Sequence, residues 1–184
     1  MNALCWLVFL ALLSAFQFTP CYSQMATNQE DESESTVVFL VRHAEKTSEK
    51  QDPGLTTDGK MRAMELARLL RSSGIEYVHS SDYIRTKETA NPAAAILGLN
   101  TELYNPRDLE ALAMNMKVKG GKHLVVGHSN TTPSLVAILG GDPHTPINEA
   151  AEYDRLYIVT INDDCGVNTI LMRYGKAYEE STGH

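Results

Sequence analysis

The sequence predicts an α/β domain with a mainly parallel central sheet, flanked by helices and finished by a terminal hairpin. Three observations carry that expectation. Short apolar, β-branched runs such as Thr36–Val41 and His123–Val126 have no polar face, as in strands buried inside a parallel sheet. Longer segments with helical periodicity alternate with those runs, which is the rhythm of βαβ units. Near the end, Arg155–Ile161 and Val167–Arg173 flank a polar turn over residues 162–166 and read as a hairpin.

In chain order, residues 3–16 are nearly all apolar, and small residues Cys21 and Ser23 stand at the −3 and −1 positions before Gln24. That pattern predicts a secretory signal peptide over residues 1–23, although no Lys or Arg precedes the run. A bilayer-spanning helix needs about 20 apolar residues. This run is shorter, so no stable membrane insertion is expected after cleavage, and the destination is secreted or periplasmic. Residues 24–35 carry Glu30, Asp31, Glu32 and Glu34 and form an acidic, solvated leader. The remaining 36–184 make one domain.

Within that domain, Thr36–Val41 is the first strand. A helix begins at Thr56 or Thr57, with Asp58 in its first turn, a core stripe at Ala63, Leu66, Ala67 and Leu70, and Gly74 as terminator. A short strand at Glu76–His79 leads to Ser80-Ser81-Asp82, where Ser81 or Asp82 caps a helix from Tyr83 to Leu97 that Pro92 kinks. Thr101–Tyr104 is a strand, and Pro106–Met116 is loop with a short helix. His123–Val126 is the fourth strand, and Thr132-Pro133 opens a helix with Pro at its first position.

The chain of 184 residues has a formal charge of −7, which argues against a nucleic-acid partner. Cys5 and Cys21 leave with the signal peptide, so Cys165 has no partner for an internal disulfide and is taken as a small turn residue. Ligands of parallel sheets bind beyond the carboxyl ends of the strands. Arg42-His43, the segment Ser80–Arg85 and Gly127-His128 all fall there. Two arginines suit a phosphate dianion, because each offers a fixed fork of donors that stays charged. A histidine among them can attack phosphorus, and a second can stabilise charge on the phosphoryl oxygens.

The run VRHAEK at Val41–Lys46 resembles the nucleophile motif of the histidine phosphatase superfamily, which includes the phosphoglycerate mutases, in its small-branch form. The likeness continues through Asp52-Pro53, Leu55-Thr56, Gly59, Arg62 and Ala63. It extends through Ser80-Ser81, Arg85, Thr86, Thr89 and Ala90, and ends with VVGHS at Val125–Ser129. That resemblance implies a phosphoglycerate mutase-like fold and a phosphomonoesterase with a phosphohistidine intermediate on His43. Arg42, Arg85 and His128 would complete the phosphate site. It implies no cofactor and no metal, and the histidines lack zinc spacing in any case. Its substrate would be a small-molecule phosphate ester or a phosphorylated surface molecule.

One branch of that family places an Asp directly after the second histidine, where Ser129 and Asn130 stand here. The other uses a Glu in the loop after the third strand, which makes Glu110 the expected proton donor, Asp108 the alternative, and absence of a strong donor the third case. His79, His123 and His144 match no catalytic position and are expected to be structural or on the surface. Asn130-Thr131-Thr132 is formally a glycosylation acceptor, expected unmodified because it adjoins His128. A mutase, a phosphohistidine phosphatase and a silent phosphate-binding module are the competing readings.

Overall fold

A computed structural model describes residues 35–162, 164 and 166–179. The expected signal peptide over 1–23, nearly all of the expected acidic leader over 24–35 and Cys165 lie outside the described residues. The elements run β1 (Thr36–Arg42), α1 (Thr57–Leu70), β2 (Tyr77–Ser81), α2 (Ile84–Leu97), β3 (Thr101–Tyr104), α3 (Leu109–Lys119), β4 (Lys122–Gly127), α4 (Thr131–Ile138), β5 (Arg155–Ile161) and β6 (Val167–Arg173). The strands form one sheet in the order β3-β2-β4-β1-β5-β6. The β3–β2, β2–β4 and β4–β1 pairings are parallel, whereas β1–β5 and β5–β6 are antiparallel. The expected α/β class, mainly parallel sheet and terminal hairpin are all present.

Alternation along β1 divides the core into two layers. Val38 and Leu40 pack with Leu112 and Met116 of α3 and Leu135 of α4. Val41 packs on the other face with Leu66 and Leu70 of α1 and Ala90 and Ala93 of α2. Both faces of the central strands are covered, which is why their sequences are apolar without a polar face. Among the described residues, no helix is long and apolar enough to cross a membrane.

Several local expectations are corrected. Helix α2 is preceded by Tyr83 rather than capped by Ser81 or Asp82, and no side chain of its own N-cap residue closes it. The Ile84 N–H instead donates to Asp52 Oδ1 at 3.0 Å, from a loop 32 residues earlier. Pro92, where the sequence predicts a kink, lies inside α2, which continues on both sides of it. Helix α4 starts at Thr131, so Pro133 is its third residue, where the missing N–H is still tolerated because first-turn amides lack helical acceptors. The segment after β3 is a full helix, with Asp108 capping it through the Ala111 N–H.

Candidate active site

The sheet register itself brings the two histidines together. Arg42 and Gly127 face each other as the last pair of the β1–β4 ladder, so His43 and His128 are the next residue on each strand. The His43 N–H donates to the Gly127 carbonyl at 2.9 Å, and the two rings meet edge to face with centroids 5.6 Å apart. On the other side of β4, Ser80 pairs with Val126, which brings Ser81 beside His128. Gly127 has to lack a side chain. A Cβ there would lie 2.9 Å from Thr131 Oγ1, 3.0 Å from Thr132 Oγ1 and 3.1 Å from the Tyr104 hydroxyl.

The next motif block holds the His43 loop in place. Thr56 caps α1 by accepting from the Gly59 N–H, and its own N–H donates to the Glu45 carbonyl at 2.9 Å. A Cβ on Gly59 would come within 2.3 Å of that same carbonyl oxygen, so only glycine lets the helix approach so closely. Arg62 then grips the Glu45 carboxylate, with its Nη2 2.8 Å from Oε1, and donates to the Tyr174 and Lys176 carbonyls. Ala44 is fixed from the far side by the Thr89 hydroxyl at 3.0 Å.

A cavity of about 460 Å³ opens at this edge, lined by His43, Arg85, His128 and Tyr83, with the exposed Lys46 and Arg107. Arg85 lies 4.5 Å over the Tyr83 ring and 3.6 Å from Asp52. Two buried side-chain nitrogens here have no hydrogen-bond partner among the described residues, Nε of Arg42 and Nε of Arg85. Unpaired buried donors are costly, and an anion relieves that cost for any it can reach.

The proton positions follow from the partners. A carbonyl only accepts, so the 2.8 Å contact between His43 Nδ1 and the Ala44 carbonyl requires a proton on Nδ1. The Nε2 lone pair is left free. Burial, together with the charges of Arg42 and Arg85, lowers the His43 pKa to about 3, against the upward pull of the Ala44 carbonyl. Arginine only donates, so the 3.4 Å contact from Arg85 to His128 Nδ1 puts the His128 proton on Nε2. That proton goes to Ser81 Oγ at 2.9 Å, which donates to Thr86 Oγ1 at 3.1 Å. Burial, then Arg85 and Arg42, lowers the His128 pKa to about 4.

His43, Arg85 and His128 share the cavity wall, and Arg42 does not. Its Nη1 donates to the Asn148 and Glu152 carbonyls, its Nη2 donates to the Glu149 carbonyl at 2.6 Å, and its guanidinium lies 4.0 Å over Tyr153. Arg42 therefore anchors the 148–152 turn and supplies positive potential from behind. Glu110 is also corrected: it is exposed on the first turn of α3 and does not line the cavity, while Asp108 is committed to the helix cap. Among the described residues that line the wall, the one acidic residue is Glu149, which no spacing in the sequence marked. Arg107 carried no such mark either, whereas Lys46, Ser81 and Tyr83 lay within segments that the sequence singled out without giving any of them a role at the wall. His79 and His123 are buried in the sheet, 3.0 Å apart, and His144 is exposed.

Fold and rim together define a class: an α/β domain with paired histidines in a cationic pocket at its parallel strand ends. Residues 38–112, which include His43 and Arg85, match the histidine phosphatase superfamily (branch 1), bearing out the resemblance drawn from the motif blocks. Among solved structures, the protein histidine phosphatase SixA, determined with tungstate, is 21% identical, with a TM-score of 0.60 over 74% of this chain and 96% of that one. A mycobacterial glucosyl-3-phosphoglycerate phosphatase is 12% identical, with a TM-score of 0.59 over 78% and 100%. A phosphoserine phosphatase from Entamoeba histolytica is 15% identical, with a TM-score of 0.54 over 77% and 97%. At these identities the likeness is one of fold. No curated protein matches the sequence.

Proposed function

We propose that the chain is an exported phosphomonoesterase that hydrolyses phosphate esters through a phosphohistidine on His43. The observation that carries this is the state of His43: buried, neutral, with Nδ1–H tied to Ala44 and Nε2 free, on the wall of a cationic cavity. In the first step Nε2 bonds to phosphorus as the ester oxygen departs, and in the second, water releases inorganic phosphate. Arg85 supplies fixed donors for the equatorial oxygens, and Arg42 adds charge from below. A bound dianion favours protonation of His128 at Nδ1, which turns an acceptor into a further donor.

Export rests on the apolar run at residues 3–16 and the small residues before Gln24. The substrate is a small phosphate ester or a phosphorylated surface molecule. Lys46 and Arg107 on the cavity wall suit one with further negative charge. Phosphohistidine phosphatase activity is the second reading, supported by the fold likeness to SixA. One preparation tests the whole proposal. Protein recovered from the native host should begin near Gln24 by intact mass. Quenched with labelled substrate, it should carry alkali-stable, acid-labile phosphate on His43. His43→Ala should lose both label and turnover, and near-normal turnover in that variant would overturn the mechanism.

A further inference from the structure

Cleaving an alkyl phosphate requires a proton for the departing oxygen, because an alkoxide is a poor leaving group. Asp108 caps α3, Glu110 stands outside the cavity, and Asp52 is engaged by the Ile84 N–H and faces Arg85. Among the described residues on the cavity wall, Glu149 is the one Asp or Glu. Its carboxylate makes no hydrogen bond or ion pair with a described residue, in contrast to Glu45 and Glu152 nearby. Its backbone is held firmly. The Glu149 carbonyl accepts from Arg42, and the turn is closed by the Glu152 N–H donating to the Asn148 carbonyl at 3.0 Å. From the other side, the Glu152 carboxylate accepts from the Asn148 N–H and is gripped by Arg155 and Arg173.

Glu149 also borders a second, more apolar cavity of about 520 Å³, lined by Pro133, Ala137, Pro146 and Ile147. Ser129 and Asn130 line both spaces. Glu149 thus stands between the phosphate pocket and the adjoining space open to the remainder of the ester.

We propose that Glu149 is the acid that protonates the leaving oxygen, on the wall between the phosphate pocket and this apolar arm. The assignment rests on the phosphohistidine reading above. In the first step the His43 Nε2–P bond forms, the P–O bond to the leaving group breaks, and the Glu149 carboxyl proton passes to that oxygen, giving an alcohol and a carboxylate. In the second, water attacks phosphorus and yields its proton to Glu149. The N–P bond breaks, and inorganic phosphate leaves with His43 and Glu149 restored.

The test compares Glu149→Gln, Glu149→Asp and Glu110→Gln with the unaltered enzyme on an alkyl phosphate and on nitrophenyl phosphate. Nitrophenolate leaves readily and needs little help. Glu149→Gln should slow the alkyl ester by about 10²–10⁴-fold and the nitrophenyl ester by less than about tenfold. Glu149→Asp should recover part of the alkyl activity, and Glu110→Gln should leave both rates unchanged. The exposed Glu149 side chain has no folding contact to lose, so melting temperatures should agree. Equal losses on both esters, no loss on either, or an unaltered enzyme inert toward alkyl phosphates overturns the assignment. Phosphate trapping on His43 separates the two claims: a labelled His43 with equal losses removes Glu149 alone, whereas an unlabelled one removes the phosphohistidine reading itself.

Discussion

A histidine attacks phosphorus only while one ring nitrogen keeps its lone pair, and His43 is arranged for that. The Ala44 carbonyl holds the proton on Nδ1, and burial among cations opposes a second one. With a pKa near 3 the proposed nucleophile stays free through the mildly acidic range, so an acid limb of activity above pH 5 belongs to another group. Arg85 contributes geometry as well as charge. A lysine keeps the charge but loses the planar fork and the stacking over Tyr83. Arg85→Lys should lower kcat/KM by about 10–10³-fold, comparable to removing one charge-stabilising donor. Arg68→Lys, exposed on α1, should leave it unchanged. Equal kinetics for the two variants would take Arg85 out of the pocket.

At the scale of elements, the recognised motif divides into residues that meet the phosphate pocket and residues that hold its loop. Thr56, Gly59 and Arg62 do the second job, by fastening the start of α1 to the backbone that carries His43. The prediction that follows concerns Gly59, which touches no cavity atom. Gly59→Ala inserts a carbon 2.3 Å from the Glu45 carbonyl oxygen, against rigid backbone on both sides. Overpacking of this kind costs about 1–3 kcal/mol. Chemical denaturation should show a loss of that size, and activity below the midpoint should fall as well, because the displaced strand end is the one bearing His43. A variant with unaltered stability would contradict the close approach.

The whole molecule buries several histidines in neutral form, which ties its stability to pH. His123 donates from Nε2 to the Gly120 carbonyl, so its Nδ1 accepts from His79 Nε2–H in the middle of the sheet. Burial and the neighbouring His123 lower the His79 pKa to about 4, His128 lies near 4 and His43 near 3, all from an ordinary 6.5. Above pH 6.5 these rings are neutral in both states. As pH falls below 6.5 the unfolded chain takes up protons that the folded chain refuses until about pH 4, so stability declines across that window. Calorimetry from pH 7.5 to 4 should show a falling melting temperature with proton uptake on unfolding. A level profile would mean that the rings are not held neutral.

The sequence by itself determined the class of fold, the order of its strands and helices along the chain, and the paired histidines with Arg85. Those signals are local: apolar runs for buried strands, helical spacing for α1, and motif residues just past strand ends. Which strands lie side by side was not legible, and it is the parallel ladder of β1 with β4 that seats His43 against His128. Tertiary structure alone decided the role of Arg42, whose hydrogen bonds reach across more than a hundred residues to the 148–152 turn. The same long-range closure took the wall carboxylate away from Glu110 and gave the position to Glu149, and it brought Asp52 to the start of α2. A cap, a clamp or a carboxylate supplied by a distant loop leaves no periodic mark, because its position depends on where the packed core directs the chain rather than on its neighbours in sequence.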